Sequence, residues 1–230
     1  MIIMESQTMP RVISIKQVLI ITVLSVLIVT VLVILNRPRL TLNVSSEFNY
    51  ETGVTANGEP YKGSPDAQIT MVLYSDFVCV HCGDFTDAIK ELSEEFIESG
   101  KLRIIFRNYA HYSDESPLAA QAAECALDQG ADKFWQYHDL IIENRGIGTR
   151  AYSKAQLSAY AVQIGLDTVR FNKGLNSEAR AKKIQDDYDK AKKDGITGTP
   201  TWFLNGTKYK GAYTETRLRG ILNNLLKNRQ

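Results

Sequence analysis

Two cysteines two residues apart, Cys79-Val80-His81-Cys82, stand where a β-rich run gives way to a helical one, and this junction constrains the chain more than any other feature. Before it, Ile69-Thr70-Met71-Val72-Leu73-Tyr74 is apolar and free of breakers, as a buried strand requires. After it, Phe85, Ala88, Ile89, Leu92, Phe96 and Ile97 recur at helical spacing, and Gly100 stands where that helix should end. Leu102 to Phe106 is a second apolar strand. Strand, helix and strand in this order specify a βαβ unit with a parallel strand pair and a right-handed crossover.

From Ser116 to about Lys193 the pattern is helical throughout. Ser116-Pro117 is a candidate N-cap with proline at the first helical position, and Leu118, Ala122 and Cys125 share the face that follows. After Gly130 a helix carries Phe134, Tyr137, His138, Ile141 and Ile142 inward. Ser153-Lys154-Ala155-Gln156 has the form of a capping box, followed by Leu157, Tyr160, Ala161 and Ile164, with Gly165 as the stop. A charged helix with Ile184, Tyr188 and Ala191 ends at Gly195. The sheet then resumes as Thr201–Leu204 and Thr207–Tyr209, joined by Asn205-Gly206, a strong hairpin signal. A last helix runs from about Thr214 to Leu226. The fold class is therefore α/β, with a helical block of about 116–193 inserted into a sheet domain of 64–230.

The cysteine pair carries the chemistry. Cys79 falls near a helix N-cap, where unpaired N–H groups and the positive dipole end favour a thiolate; a protonated His81 would add to this. Thiols of a C-x-x-C in such positions have pKa values from about 7 down to about 3.5, against about 8.5 for free cysteine. Cys82, one turn further in, should be shielded and act as the resolving thiol. Three other uses compete. A structural disulfide would close a tiny loop and stabilise little. A zinc half-site needs two more ligands, which only Cys125, His81, His111 and His138 could supply. Copper carriage is the third.

These residues resemble the DsbA-like thioredoxin-fold disulfide oxidoreductases. Ser75-Asp76-Phe77-x-Cys79-x-His81-Cys82 is similar to that family's active-site loop, and Gly198-Thr199-Pro200-Thr201 to its cis-proline loop. Ala122-Ala123-Glu124-Cys125-Ala126 and Lys133 to Asp139 are similar to its helical insertion, so the likeness covers roughly Gly63 to Leu226. The resemblance implies a thioredoxin-like fold with Cys79 as nucleophile, Cys82 as resolving cysteine and His81 as tuning residue. Pro200 would be cis and face the pair, with Thr199 offering backbone hydrogen bonds to an extended substrate. It implies client proteins with cysteine pairs, a quinone-linked membrane redox partner, and neither cofactor nor metal. Two positions depart from the family pattern. Val80 stands where oxidising members commonly have proline, which bears on oxidant strength. Leu73 stands where relatives often carry a buried acid, so proton movement at Cys82 would rely on water or another group.

The N-terminal part is of another kind. Val18 to Leu35 is 18 residues without a charge, about 27 Å as a helix, against a hydrocarbon core of about 30 Å. A cleaved signal peptide would have a shorter apolar region and a small-x-small site after it; here Asn36-Arg37-Pro38-Arg39 follows. The expectation is a tail at 1–12, an uncleaved single-pass transmembrane anchor at 13–35 and a linker at 36–63 that contributes at most one strand. Arg11 and Lys16 before the span balance Arg37 and Arg39 after it, so flanking charge does not orient it. Disulfide chemistry belongs on the oxidising side, which places the domain outside the cell membrane. Charge excludes another class of function. The 27 basic and 26 acidic residues nearly cancel, without the basic footprint of a nucleic-acid binder.

Other residues have plainer expectations. Cys125 and His138 lie on apolar faces and suit the core; Trp135 and Trp202 do likewise, and His111 suits a loop. Asp76 has two roles open to it, capping the active-site helix or approaching the cysteines.

Overall fold

The structure, a computed structural model, describes residues 49–145 and 149–228, together with Lys16, Leu19, Thr22 and 24–29 of the N-terminal segment. Contacts divide the chain into two units, 1–41 and 42–230. In the first unit the described residues are helical, and Leu19, Leu24 and Val26 to Val29 expose their apolar side chains. No helix among the described residues is long and apolar enough to cross a membrane; the rest of the expected anchor lies outside them.

The second unit is built on one six-stranded sheet. Its strands are β1 (Thr52–Val54), β2 (Pro60–Lys62), β3 (Ile69–Ser75), β4 (Leu102–Asn108), β5 (Thr201–Leu204) and β6 (Thr207–Lys210), in the order β1-β2-β4-β3-β5-β6. As the βαβ pattern requires, β3 and β4 are parallel, from Ile69 opposite Leu102 to Ser75 opposite Asn108. The other neighbours are antiparallel. The stretch 36–63, expected to be a linker with at most one strand, supplies two, so the sheet reaches back to Thr52. In the β5–β6 hairpin Asn205 (φ 47°) and Gly206 (φ 91°) take the positive angles a tight turn demands. Asn205 also accepts a hydrogen bond from Thr70 N and donates to Gln68 O, fixing the hairpin to β3.

The helices are α1 (Val80–Lys90), α2 (Ser116–Leu127), α3 (Ala131–Glu143), α4 (Lys154–Gln163), α5 (Thr168–Leu175), α6 (Glu178–Lys193) and α7 (Glu215–Lys227). The stripe after the cysteines does not form one continuous helix: α1 ends at Lys90 and a π-helical turn, Ser93–Glu98, follows. The break leaves Leu92, Phe96 and Ile97 buried. Ser116 is not the N-cap of α2 but its first residue, its hydroxyl accepting from Ser113 N at 3.0 Å. Ser153 does cap α4, accepting from Gln156 N. Helix α5 has no counterpart in the sequence reading. Asp167 caps it with two backbone N–H bonds, and it buries Phe171 and Leu175.

One core joins sheet and insertion. Phe85 of α1 stacks on Trp202 of β5 at 5.1 Å. Phe106 of β4 meets Phe77, Phe134, Trp135 and His138. The helical block thereby packs beneath the loop that carries the cysteines, and Phe77 is its link to that loop.

Candidate active site

The cysteines lie beyond the carboxyl ends of the parallel pair, where the chain leaves β3 for α1. Cys79 is the N-cap of α1 and Cys82 lies in its first turn, with Cys82 N and Gly83 N both donating to Cys79 O. Both cysteines are free thiols, 3 % and 1 % exposed. Gly83 permits close packing from outside: a Cβ there would collide with the Arg145 side chain, which is paired with Asp87. On the opposite side the Thr199–Pro200 bond is cis, and the Cys79 thiol lies 3.8 Å from Thr199 O. Thr199 and Pro200 thus come to the cysteine pair from 120 residues away in sequence.

The two thiols differ sharply in acidity. Cys79 is brought down to about 6, first by a hydrogen bond from the Cys82 thiol, then by the Thr199 side chain and the backbone N–H groups of Cys82 and His81, against the opposing effect of burial. Cys82 is pushed well above the usual thiol range, first by burial and then by the bond and charge of Cys79. The helix N-terminus therefore contributes as expected, but the neighbouring thiol contributes more. Such a pair makes Cys79 a good nucleophile and leaving group and keeps Cys82 protonated until it is needed.

His81 is placed differently from the expectation. Its side chain is 75 % exposed, with Nδ1 3.7 Å from Asp84 Oδ2, and its effect on Cys79 comes through its backbone N–H. Leu73 is buried, so no acid occupies that position on β3. Asp76 does not cap α1, whose N-cap is Cys79; it approaches the cysteines through its main chain, Asp76 N donating to Cys82 Sγ at 3.5 Å and Asp76 O accepting from Cys79 N at 3.2 Å. Its carboxylate accepts from Val78 N at 2.9 Å and from His111 N and Tyr112 N at 2.8 Å each.

Cys125 is 1 % exposed and burial raises its pKa to about 11, in keeping with a buried apolar role. His138 is 2 % exposed and held by Asp139 Oδ1 at 2.8 Å. Burial pulls its pKa down. His111 stacks on Tyr188 at 4.4 Å. Among the described residues no three His, Cys, Asp or Glu side chains gather where they could share a metal ion.

Comparison with known proteins agrees with this geometry. The thioredoxin family profile matches residues 55–224. The chain is 31 % identical over 148 residues to a probable disulfide bond formation protein D of Bacillus cereus, covering 63 % of this chain and 68 % of that one. The crystal structure of oxidised BdbD from Bacillus subtilis superposes with a TM-score of 0.68 at 25 % identity, over 77 % of this chain and 98 % of that one. A Na(+)/H(+) antiporter NhaA 1 of Salinispora arenicola is 35 % identical over 181 residues, covering 77 % of this chain and 26 % of the antiporter. The chain spans about a quarter of the length of such antiporter relatives.

The chain belongs to the thioredoxin family. Within it, the chain is a relative of the DsbA-like thiol–disulfide oxidoreductases.

Proposed function

We propose that this protein is a membrane-anchored oxidant, held by residues 13–35, that introduces disulfides into extracytoplasmic client proteins. A client thiolate attacks Cys79 of the Cys79–Cys82 disulfide. The Cys79–Cys82 bond breaks, a mixed disulfide forms at Cys79, and Cys82 leaves as a thiolate that takes up a proton. The client's second thiolate then attacks its own sulfur in the mixed disulfide and expels Cys79. The client is oxidised by two electrons and the pair reduced by two. Regeneration passes those electrons to a membrane acceptor, for which a quinone-linked partner suits the chemistry.

The observation that carries this reading is the split acidity of the pair, with Cys79 near 6 and Cys82 far above. A stabilised Cys79 thiolate favours the reduced pair and so makes its disulfide oxidising. Membrane tethering is supported by the uncharged run Val18 to Leu35. The antiporter relatives also carry the matching stretch within a longer chain, and an ion antiporter works across a membrane. The outer location rests on the redox argument.

Equilibration of the full-length protein with glutathione buffers tests the direction of transfer. A potential of about −120 mV fits an oxidant, and one of about −270 mV would make the protein a reductase or isomerase instead. Labelling of Cys79 in intact cells by a membrane-impermeant maleimide, after reduction of the pair with a membrane-impermeant reductant, tests the location, and labelling only after lysis would refute it.

A further inference from the structure

Asp76 stands at the end of β3, three residues before Cys79 and 1 % exposed. Two sets of hydrogen bonds meet in it. Its carboxylate holds three backbone N–H groups: Val78 in its own loop, and His111 and Tyr112 in the loop that follows β4. Its main chain holds both cysteines. Asp76 N donates to Cys82 Sγ at 3.5 Å, and Asp76 O accepts from Cys79 N at 3.2 Å.

We infer that Asp76 is a positioning residue of the exchange reaction, its carboxylate tying the loops after β3 and β4 together so that its own peptide groups aim the Cys82 thiol at Cys79. A carboxylate accepts on all its lone pairs; an amide in its place would turn N–H groups towards N–H groups. Tyr152, which donates to Phe77 O at 3.4 Å, backs the same turn from the insertion.

This inference rests on the reading of Cys79 as the nucleophile, and the test separates the two. Titration of the unsubstituted protein by iodoacetamide alkylation first establishes whether Cys79 is acidic; if it is not, the functional reading fails whatever Asp76 does. With an acidic Cys79 established, Asp76→Asn is titrated in the same way. A lost aim of Cys82 withdraws its hydrogen bond from the thiolate, so the Cys79 midpoint rises by at least about half a unit, roughly a threefold loss of thiolate below the midpoint. A residue acting merely as a nearby negative charge gives the opposite sign, because removing the anion eases thiolate formation. A purely structural residue lowers the melting temperature and leaves the midpoint in place. An unchanged or lowered midpoint therefore overturns the inference. Tyr112→Pro provides a second arm that keeps the carboxylate and removes one of its three donors. The same rise, smaller in size, is expected, and should Asp76→Asn not fold, an unchanged midpoint in Tyr112→Pro overturns the inference by itself.

Discussion

The Cys79 sulfur and the Thr199 carbonyl oxygen stand 3.8 Å apart, the one at the start of α1 and the other two residues before β5. The antiparallel pairing of β3 with β5 brings them together, from Met71 opposite Leu204 to Tyr74 opposite Thr201. The reactive sulfur therefore faces a segment whose backbone runs across the site and whose side chain helps to hold the thiolate. Three consequences concern the acidity of that sulfur and one concerns the frame that carries it.

Cys82 should matter to Cys79 through its proton. In Cys82→Ala the leading hydrogen bond to the thiolate is gone, and the Cys79 midpoint should rise from near 6 towards the ordinary thiol range. Cys82→Ser keeps a donor and should shift it much less. Iodoacetamide reaction rates against pH compare the two, and equal shifts would show that the donor is not the cause. Cys82→Ser should also trap clients as mixed disulfides, visible on non-reducing gels.

Thr199→Val removes one donor near the sulfur while leaving the main chain in place. The Cys79 midpoint should rise, by less than in Cys82→Ala, since the Thr199 bond ranks below that of Cys82. Absorbance of the thiolate at 240 nm during an acid titration reads this without any alkylating reagent. A midpoint identical to that of the unsubstituted protein would remove Thr199 from the account.

Stability should depend on pH in the reduced form in a way that the oxidised form does not share. Cys79 is an acid whose folded pKa is depressed, so its contribution is present above the unfolded value of about 8.5 and is lost as pH falls through about 6. Between those limits the unfolding free energy of the reduced protein, minus that of the oxidised one, should climb by up to about 1.4 kcal/mol per pH unit. Above that window the raised pKa of Cys82 works in the opposite direction. Urea unfolding of both forms from pH 5 to 8.5 measures the slope, and parallel curves would contradict it.

The frame of the site depends on the stack of Phe85 on Trp202, both fully buried. Phe85→Ala leaves a cavity under the first turns of α1 and should cost about 3–5 kcal/mol. Urea unfolding checks this, and a loss below about 1 kcal/mol would mean that the core closes over the gap.

Much of this arrangement was legible in the residues themselves, because it is written in local signals. Apolar runs mark β3 and β4, Asn205-Gly206 marks the hairpin, and Cys79 to Cys82 at a strand end mark the reactive pair. What escaped depends on tertiary context. Strands β1 and β2 are three residues each, too short for a period, and β2 ends in a lysine, Lys62, that is buried with its ammonium 4.4 Å from the Trp135 ring. Helix α5 exposes Val169 and contains Asn172 and Gly174, so neither pattern nor propensity announces it; the Asp167 cap was the available signal. The three donors on Asp76 come from two loops more than 30 residues apart, and no spacing in the sequence reveals such a convergence. The exposed position of His81 was equally hidden, since the sequence places it near the sulfur without saying which way its ring turns.

The most direct test is the acidity of Cys79 in the reduced, full-length protein. Cys125 is held near 11 and Cys82 higher than usual, so alkylation near neutral pH should modify Cys79 alone, as peptide mapping can verify. The account predicts a rate profile with its midpoint near 6. A midpoint near about 8.5, the value of an unperturbed cysteine, would contradict it.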